Sequence, residues 1–293
     1  MQKKGFKRGA ISMLWLTAAI WGFAFVAQRA GMEYIGPFTY NGIRFLIGSI
    51  SLMPLVLFAS RKSGQTIRLD RKTWIAGLLA GLVLFMGASL QQAGMVTTSA
   101  GKAGFITGFY VILVPIIGIF IGQRISYLMW FGAVLALFGL YMLTINGPFV
   151  LQRGDMLVLL SAFFWAAHVQ LINKLVNSIA PLPLAAIQFA VCGLLSLCVA
   201  FPVETISSDS IVKAAVPILY GGLMSVGIAY TLQVVAQQYV HPAYASLILS
   251  FETVFAVIGG WLILNETLST RNLLGCLLMM AGIFVVQVWG NRK

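Results

Sequence analysis

Residues 241–269 read HPAYASLILSFETVFAVIGGWLILNETLS, an apolar run of helical length with one carboxylate, Glu252, near its centre. At about 1.5 Å per residue from Ala243, Glu252 lies roughly 14 Å along the helix, near the middle of a hydrocarbon layer about 30 Å thick. A carboxylate at that depth is costly and indicates a functional site. The other acids fall in connections or at the ends of apolar runs: Glu33, Asp70, Asp155, Glu204, Asp209 and Glu266.

The stretch 241–269 has a partner earlier in the chain, at 98–126, where IGQRIS stands opposite LNETLS. The pairing belongs to an internal repeat with an offset of 143–144 residues. Further pairs follow in order along the chain: Trp21 with Trp165, Pro37 with Pro181, Phe45 with Phe189, Gly132 with Gly275, and Gly139 with Gly282. The pattern predicts two structural repeats, 1–147 and 148–293. In this alignment Glu252 stands opposite Phe109, so the charge itself is not repeated.

Composition places the chain in a membrane. It has 293 residues, of which 60% are hydrophobic and 9% charged, whereas a soluble domain is about one quarter charged. Each of ten apolar segments is long enough to cross a bilayer as a helix. They are 10–28, 37–59, 74–97, 101–121, 127–145, 155–176, 183–202, 213–238, 243–264 and 271–289. The connections are too short for an appended enzyme domain.

The repeat and the spans together predict the fold. Five helices per repeat is an odd number, so the second repeat enters the membrane from the opposite side to the first. The sequence therefore predicts an all-α polytopic membrane protein with ten transmembrane helices in an inverted five-plus-five repeat, a design typical of secondary transporters. The first span follows the basic stretch MQKKGFKRG as a signal peptide would. Because it is long and has a counterpart in the second repeat, we expect it to remain part of the fold.

The basic residues predict the orientation. The net charge is +12, but the lysines and arginines lie in short loops and termini beside apolar spans. This placement is what the positive-inside rule produces, and it argues against a surface that binds nucleic acid. With the N-terminus inside, 13 basic residues fall on the inner side, five fall on the outer side, and Arg44 lies within a span. We therefore expect a multi-pass protein of the cell (inner) membrane with both termini in the cytoplasm.

Motifs of catalysis and cofactor binding are not found in the sequence. The three cysteines lie within apolar spans at spacings that suit neither a disulfide framework nor a metal site. The chain has no GxxxxGK[ST], HExxH or GxSxG motif. The sequence predicts no enzyme activity, no cofactor, no metal site and no use of ATP.

The ordered set of span motifs resembles the EamA-type members of the drug/metabolite transporter superfamily. The motifs are WGFAFVAQRAG at 21–31, GPFTYNGIRFLIGS at 36–49, SAGKAGFITGFYVILVPIIGIFIGQRIS at 99–126, and 241–269. The likeness extends from about Ala10 to Gln287. It implies secondary transport of small metabolites, often export of amino acids, through a cavity lined by helices 1, 3, 4, 6, 8 and 9. The LGERL helix end usual in the family reads GQR at 122–124 and NET at 265–267, and the first copy lacks the glutamate.

Three charged residues are candidates for substrate contact or coupling. Glu252 is a candidate proton carrier or partner of a substrate ammonium group; the alternative is a structural ion pair with Arg44 or Lys102. For Arg44, about two turns into the second helix, anchoring of helices through backbone carbonyls is favoured over substrate contact. Lys102, at the outer end of the fourth helix, either extends to the membrane interface or attracts an anionic group at the cavity mouth.

His168 falls midway along the sixth helix, the most polar span of the second half. A buried histidine is often a satisfied core residue. Beside a membrane cavity, however, an imidazole suits proton-linked gating or hydrogen bonding to substrate, and both interpretations remain open. His241 falls at a predicted cytoplasmic turn, where we expect it to be solvated.

Uncharged polar and aromatic side chains complete the candidate site. Gln91 in the third helix and Tyr230 in the eighth either tie helices together or line a wet cavity, and lining is slightly favoured. Trp21 and Trp165 occupy equivalent repeat positions. This equivalence favours a role in helix packing over substrate contact, although either ring is also placed to stack on substrate. Pro115 in the fourth helix predicts a kink, either static or a gate hinge.

The sequence as a whole predicts a secondary active or facilitative transporter, an exporter of small organic metabolites such as amino acids, working by alternating access. The alternative functions are translocation of a lipid or lipid-linked sugar and, less favoured, a membrane-embedded enzyme. The partners expected are a small-molecule substrate, protons and membrane lipids, with no nucleic acid. The expected oligomeric state is a monomer or a weak homodimer.

Overall fold

A computed structural model describes residues 2–63, 70–145, 152–264 and 269–289. Within these ranges the chain is helical, with turns between the helices and no strand. The polar string 265–267 falls outside them, as do three residues used to predict the orientation, Arg68, Arg292 and Lys293.

The first half contains six helices: α1 (Gln2–Gly31), α2 (Pro37–Ser63), α3 (Arg71–Gly94), α4 (Ala100–Thr107), α5 (Tyr110–Phe120) and α6 (Tyr127–Thr144). The fourth predicted span is therefore divided into α4 and α5. The second half contains eight helices: α7 (Arg153–Leu175), α8 (Pro181–Val203), α9 (Ser208–Lys213), α10 (Ala215–Leu219), α11 (Thr231–Ala236), α12 (Pro242–Leu249), α13 (Glu252–Leu264) and α14 (Thr270–Trp289). A π-helical segment, Tyr220–Tyr230, joins α10 to α11.

These helices confirm the predicted fold class. In the described ranges, nine helical stretches are long and apolar enough to cross a bilayer, and the apolar helix Tyr127–Leu143 is the shorter tenth. The chain is an integral membrane protein. The seventh span is α8, the eighth runs from α10 to α11, and the ninth is divided into α12 and α13.

The two glycine pairs of the fifth and tenth spans contact each other crosswise, each glycine meeting the repeat counterpart of the other. A Cβ at Gly139 would lie 2.6 Å from the carbonyl oxygen of Gly275, and a Cβ at Gly282 would lie 2.7 Å from that of Gly132. Only glycine permits so close an approach of two antiparallel backbones, those of α6 and α14. This reciprocal contact is what a two-fold axis between inverted repeats produces.

The fourth and ninth spans break at corresponding positions near mid-length. In the fourth, the N–H groups of Phe109 and Val111 bond the carbonyls three residues back, at 3.2 and 3.0 Å. In the ninth, Phe251 and Thr253 do the same at 3.1 and 3.3 Å. The helix continues through Pro115, so the discontinuity lies one to two turns before the predicted kink. Broken helices inside a membrane protein occur where they line a cavity.

The π-helical segment was not predicted. Its glycines pack against α2, where a Cβ at Gly222 would lie 2.7 Å from the side chain of Ile47, and one at Gly227 would lie 2.7 Å from the Ser51 hydroxyl. Two of its carbonyl oxygens accept hydrogen bonds from side chains of α1: Thr17 donates to Ala229 O at 3.0 Å and Trp21 to Ser225 O at 3.2 Å. π-Helical turns frequently occur at functional sites.

Candidate substrate cavity

A cavity lies between the two repeats, beside both helix breaks. The empty space among its lining atoms, which includes space open to solvent, is about 530 Å³. Its lining comes from spans 1, 3, 4, 6, 8 and 9, with Arg44 added from span 2. These are the six helices that the family resemblance implied.

Glu252 is the first residue of α13, directly after the break in the ninth span. Gly22 allows α1 to approach at this point, because a Cβ there would lie 2.6 Å from the Glu252 carbonyl oxygen. The Glu252 side chain is 5% exposed and lines the cavity. Among the ion pairs of the described residues none involves Glu252, so the alternative pairing with Arg44 or Lys102 is not formed.

Tyr110 is a polar neighbour of Glu252 in the cavity wall. Its hydroxyl interacts electrostatically with the Glu252 carboxyl group. The same hydroxyl is buried, and its angles and distances satisfy the geometry of a full hydrogen bond to none of the described residues. The two groups are therefore interacting neighbours in the cavity wall.

Two acids at helix ends, by contrast, have structural partners. Asp70 caps α3 by accepting the N–H and hydroxyl of Thr73 at 2.9 and 2.7 Å, and the hydroxyl bond first, then the N–H bond, lowers the pKa of the Asp70 carboxyl group. Glu204 caps α2 by accepting from Phe38 N, Thr39 N and the Thr39 hydroxyl at 2.6–2.8 Å. Glu252 differs in being a buried carboxyl group without such donors.

Arg44 lies on α2 with its guanidinium group at the cavity. Its Nε donates to Asn41 Oδ1 at 3.0 Å, and its carbon Cζ lies 4.9 Å from the ring centroid of Phe45. Asn41 is fixed in turn by donating to Ala88 O at 3.0 Å. No hydrogen bond or ion pair to another described residue engages the two terminal Nη groups. The side chain is anchored through Nε and leaves its donor fork available, so the predicted bonding to backbone carbonyls is not what holds it.

Tyr230 forms the centre of the aromatic wall. Its ring centroid lies 4.5 Å from that of Trp21 and 6.1 Å from that of Trp165, the two tryptophans paired in the repeat. Phe45 and Phe189, another repeat pair, each lie 5.9 Å from Tyr230. Tyr230 also lies within electrostatic range of both Arg44 and Glu252, so this wall extends between the two charges.

His168 packs against two rings of this wall. Its Nε2 is 2.8 Å from Gln188 Oε1, and its ring stands edge-on to Trp165 and Tyr230, at 6.4 and 6.5 Å. With the amide in this orientation Nε2 carries the proton and donates, which leaves Nδ1 as an acceptor. His168 lines the cavity while being held by the core.

Gln91 lines the cavity from α3, where its Nε2 donates to the Thr107 hydroxyl at 2.9 Å. Thr107 is the last residue of α4, so this bond fixes the helix end that precedes the break. Gln91 therefore both ties two helices and faces the cavity.

Four buried polar atoms in the cavity wall have no hydrogen-bond partner among the described residues. They are Gln28 Oε1, Tyr110 Oη, Trp165 Nε1 and Gln233 Oε1. An unsatisfied buried polar atom costs about 1–3 kcal/mol, and such atoms are rare in folded proteins. In this cavity they are available to a polar ligand or to water.

Lys102 does not line the cavity. Its Nζ lies 2.5 Å from Oδ2 of Asp155, the buried acid in the first turn of α7. Thr98 donates to the other carboxylate oxygen at 2.9 Å. Sequence reasoning placed Asp155 at a span end without recognising this pair, since nothing in the order of residues joins positions 102 and 155.

Four further polar lining residues were missed from the sequence, Gln28, Thr107, Tyr110 and Ser225. A signal for Tyr110 was present, because it directly follows Phe109, the repeat counterpart of Glu252. Within the described ranges no group of three or more His, Cys, Asp or Glu side chains is placed to hold a metal ion.

The sequence model of the EamA-like transporter family matches this chain twice, over residues 8–145 and again over 152–288. The chain belongs to this family. It is a transporter, and the two matches correspond to the two five-helix halves.

Relatives of this EamA-like transporter are similar over nearly their full length. An uncharacterized transporter of Archaeoglobus fulgidus is 29% identical, covering 93% of this chain and 84% of its own. A probable amino-acid metabolite efflux pump of Salmonella typhimurium is 25% identical, covering 94% of each chain. A protein of known crystal structure has a TM-score of 0.78 at 17% identity, covers 97% of this chain and 98% of its own, and thus shares the fold.

Proposed function

We propose that this EamA-like transporter exports a small zwitterionic metabolite, such as an amino acid, by alternating access without ATP. The observation that carries the proposal is the pairing of opposite charges at one cavity. Glu252 and Arg44 are both buried there, neither has an ion-pair partner among the described residues, and Tyr230 lies near both. A zwitterion supplies the missing partner of each.

Glu252 is proposed to bind the ammonium group. A carboxylate buried in a membrane is costly unless a proton or a cation neutralises it. Substrate ammonium and proton therefore compete for the same group. This competition couples export of substrate to entry of a proton, since Glu252 can carry only one of them at a time.

Arg44 is proposed to bind the carboxylate. A guanidinium group presents its N–H groups in a planar fork that matches a carboxylate. Since Asn41 and Phe45 hold the base of the group, its terminal N–H groups are directed before substrate arrives. Little conformational entropy is then lost on binding.

The aromatic wall is proposed to contact the substrate side chain. Tyr230, Trp21 and Trp165 present ring surfaces between the two charges. An apolar or aromatic side chain suits this surface. The name of the Salmonella relative, an amino-acid metabolite efflux pump, supports the same substrate class.

Alternating access is proposed to arise from rocking of the repeats, placed at 1–147 and 148–293, with the helix breaks at 108–109 and 250–251 as the points that bend. Because the cavity lies within one chain, we propose a monomer or a weak homodimer as the working unit. The basic residues support a position in the cell (inner) membrane with both termini in the cytoplasm.

This orientation predicts opposite labelling of two exposed lysine positions when each is replaced by cysteine in a cysteine-free variant. A membrane-impermeant maleimide should label Lys213→Cys in intact cells, and Lys72→Cys only after lysis. The reverse pattern would overturn the proposed orientation. Both sites are exposed in the structure, so lack of labelling reports the membrane side rather than burial.

Counterflow in proteoliposomes tests the function. Vesicles loaded with unlabelled phenylalanine should accumulate labelled phenylalanine without ATP. Phenethylamine, which lacks the carboxylate, and 3-phenylpropionate, which lacks the ammonium group, should each compete about 100-fold less well, because each leaves one buried charge unpaired. An aliphatic set built on leucine extends the test to other side chains.

Equal competition by all three compounds would contradict recognition of a zwitterion. Exchange of no amino acid, amine or nucleoside would contradict the metabolite proposal altogether. In that case, accelerated flipping of a fluorescent phospholipid in the same vesicles would favour the lipid translocator instead. Vesicles containing the Glu252→Gln/Arg44→Gln double variant are the matched control, and they measure the uptake that does not depend on the two charges.

A further inference from the structure

A second cavity lies at the end of the molecule where α6 and α12 begin. The empty space among its lining atoms is about 890 Å³. Its walls are formed by Lys7 of α1, the segment 124–129, the turn and helix start at 239–244, and Val286 of α14. Phe6 stacks on Tyr239, with ring centroids 5.7 Å apart, which fixes the start of α1 beside the cavity.

The chemistry of this second cavity is cationic. Lys7 and Arg124 contribute positive charges, and no aspartate or glutamate is among its described lining residues. Arg124 is exposed and forms no ion pair with another described residue. His241 accepts the Ala243 N–H through Nδ1 at 3.3 Å, so its neutral ring has Nε2–H left as a donor.

Tyr244 adds a buried hydroxyl without a partner. The residue is 5% exposed and lines the second cavity, and its Oη meets no hydrogen-bond partner among the described residues. Both α6, capped by Ser126, and α12, capped by His241, begin here, which places two positive helix ends at the cavity. An oxyanion would satisfy the hydroxyl, Arg124 and the helix ends together.

At the other end of the molecule, the positions that are equivalent in the repeat contain both a cation and an acid. There Thr98, the repeat counterpart of His241, donates to Asp155, which also pairs with Lys102. At the offset of 144 residues Asp155 stands opposite Ile11, so the second cavity has no equivalent acid. The inverted repeat produces this arrangement twice, and among the described lining residues only the copy at Asp155 contains an acid.

We infer that this second cavity binds a phosphate group, presented by the headgroup of an anionic phospholipid. Beside the cavity, the apolar side chains of Phe120, Ile121 and Tyr127 are 85, 56 and 72% exposed, which suits acyl chains next to a bound headgroup. The shared chemistry is that of a phosphate oxyanion, and inorganic phosphate is the other source. The inference does not depend on the identity of the transported substrate.

The test is lipid retention and thermal stability of the full-length protein. Nanodiscs of phosphatidylcholine with and without phosphatidylglycerol are compared, and native mass spectrometry counts the lipids that remain after release. We expect phosphatidylglycerol to be retained and to raise the unfolding temperature. Arg124→Gln and Tyr244→Phe should each weaken retention, by about tenfold for the charge and less for the hydroxyl.

Arg71→Gln is the matched control, because it removes an exposed arginine outside the second cavity on the same predicted membrane side. Equal loss from Arg71→Gln and Arg124→Gln would overturn the site in favour of general surface attraction, as would no loss from Arg124→Gln or Tyr244→Phe. Tyr244→Phe preserves the ring and therefore the packing, so it remains informative if Arg124→Gln folds poorly. Stabilisation of detergent-solubilised protein by inorganic phosphate, lost in the same two variants, would support the phosphate site while assigning it to the soluble anion.

Discussion

Glu252→Gln should abolish transport driven by a proton gradient while leaving the protein folded. Glutamine preserves the size of the side chain and one acceptor oxygen, but it cannot take up a proton and lacks the negative charge that attracts an ammonium group. Since removing one member of a buried charge pair costs about 2–5 kcal/mol, the apparent affinity for phenylalanine should fall by roughly 100-fold. Proteoliposome flux under an imposed pH gradient gives the measurement.

The stability of Glu252→Gln separates the functional role from a structural one. Breaking a structural buried ion pair costs about 3–5 kcal/mol, and the unfolding temperature would drop. Because no described cation pairs with Glu252, we expect the unfolding temperature to stay the same or rise. Loss of thermal stability together with normal proton-driven flux would return Glu252 to a scaffold role.

Glu33→Gln is the control for the loss of one negative charge. Glu33 is exposed at the turn that follows α1. The substitution removes the same charge outside the membrane-spanning region and the cavity. It should leave both flux and the unfolding temperature unchanged, so any effect common to the two variants reports net charge rather than the site.

Much of the architecture could be predicted from the sequence, because membrane spans depend on length and apolar content alone. The repeat added the pairing of halves, and the reciprocal contact of Gly139 with Gly275 and of Gly132 with Gly282 follows from it. The helix breaks and the π-helical segment could not be predicted. They depend on which backbone groups neighbouring helices satisfy, and that is decided by packing rather than by local composition.

The candidate site was predictable in composition more than in geometry. Depth in the membrane singled out Glu252 and Arg44, and the structure brings both to one cavity. Lys102 was a candidate as a charge at the outer end of the fourth span, yet it pairs with Asp155 outside the lining. Tyr110 and Gln28 were missed although Tyr230 and Gln91, the same residue types within apolar spans, were selected. Long-range pairing, not residue type, separates these cases.

The second large effect expected is a loss of substrate discrimination in Arg44→Gln. In the native protein the zwitterion phenylalanine should bind about 100-fold more tightly than phenethylamine, because only the zwitterion uses the guanidinium group. In Arg44→Gln, phenylalanine loses this partner, whereas phenethylamine never had it. The ratio of the two affinities should fall to near one, and quenching of cavity tryptophans such as Trp21 and Trp165 provides the binding signal.

Arg44→Lys refines the interpretation. Lysine keeps the charge but replaces the planar fork with a point charge and loses the Nε bond to Asn41. It should retain part of the discrimination, between that of Arg44→Gln and that of the native protein. Arg153→Gln, which removes an exposed arginine from the start of α7 outside the cavity lining, should leave the ratio unchanged.

The outcome of Arg44→Gln also decides between recognition and anchoring. If Arg44 mainly anchors α2 against its neighbours, its loss should weaken binding of phenylalanine and phenethylamine by the same factor and lower the unfolding temperature. If it recognises the carboxylate, the loss falls on phenylalanine alone, and Glu252→Gln shows the mirror image by weakening phenylalanine relative to 3-phenylpropionate. Selective and opposite losses in the two variants would follow only if the two charges bind opposite ends of one substrate.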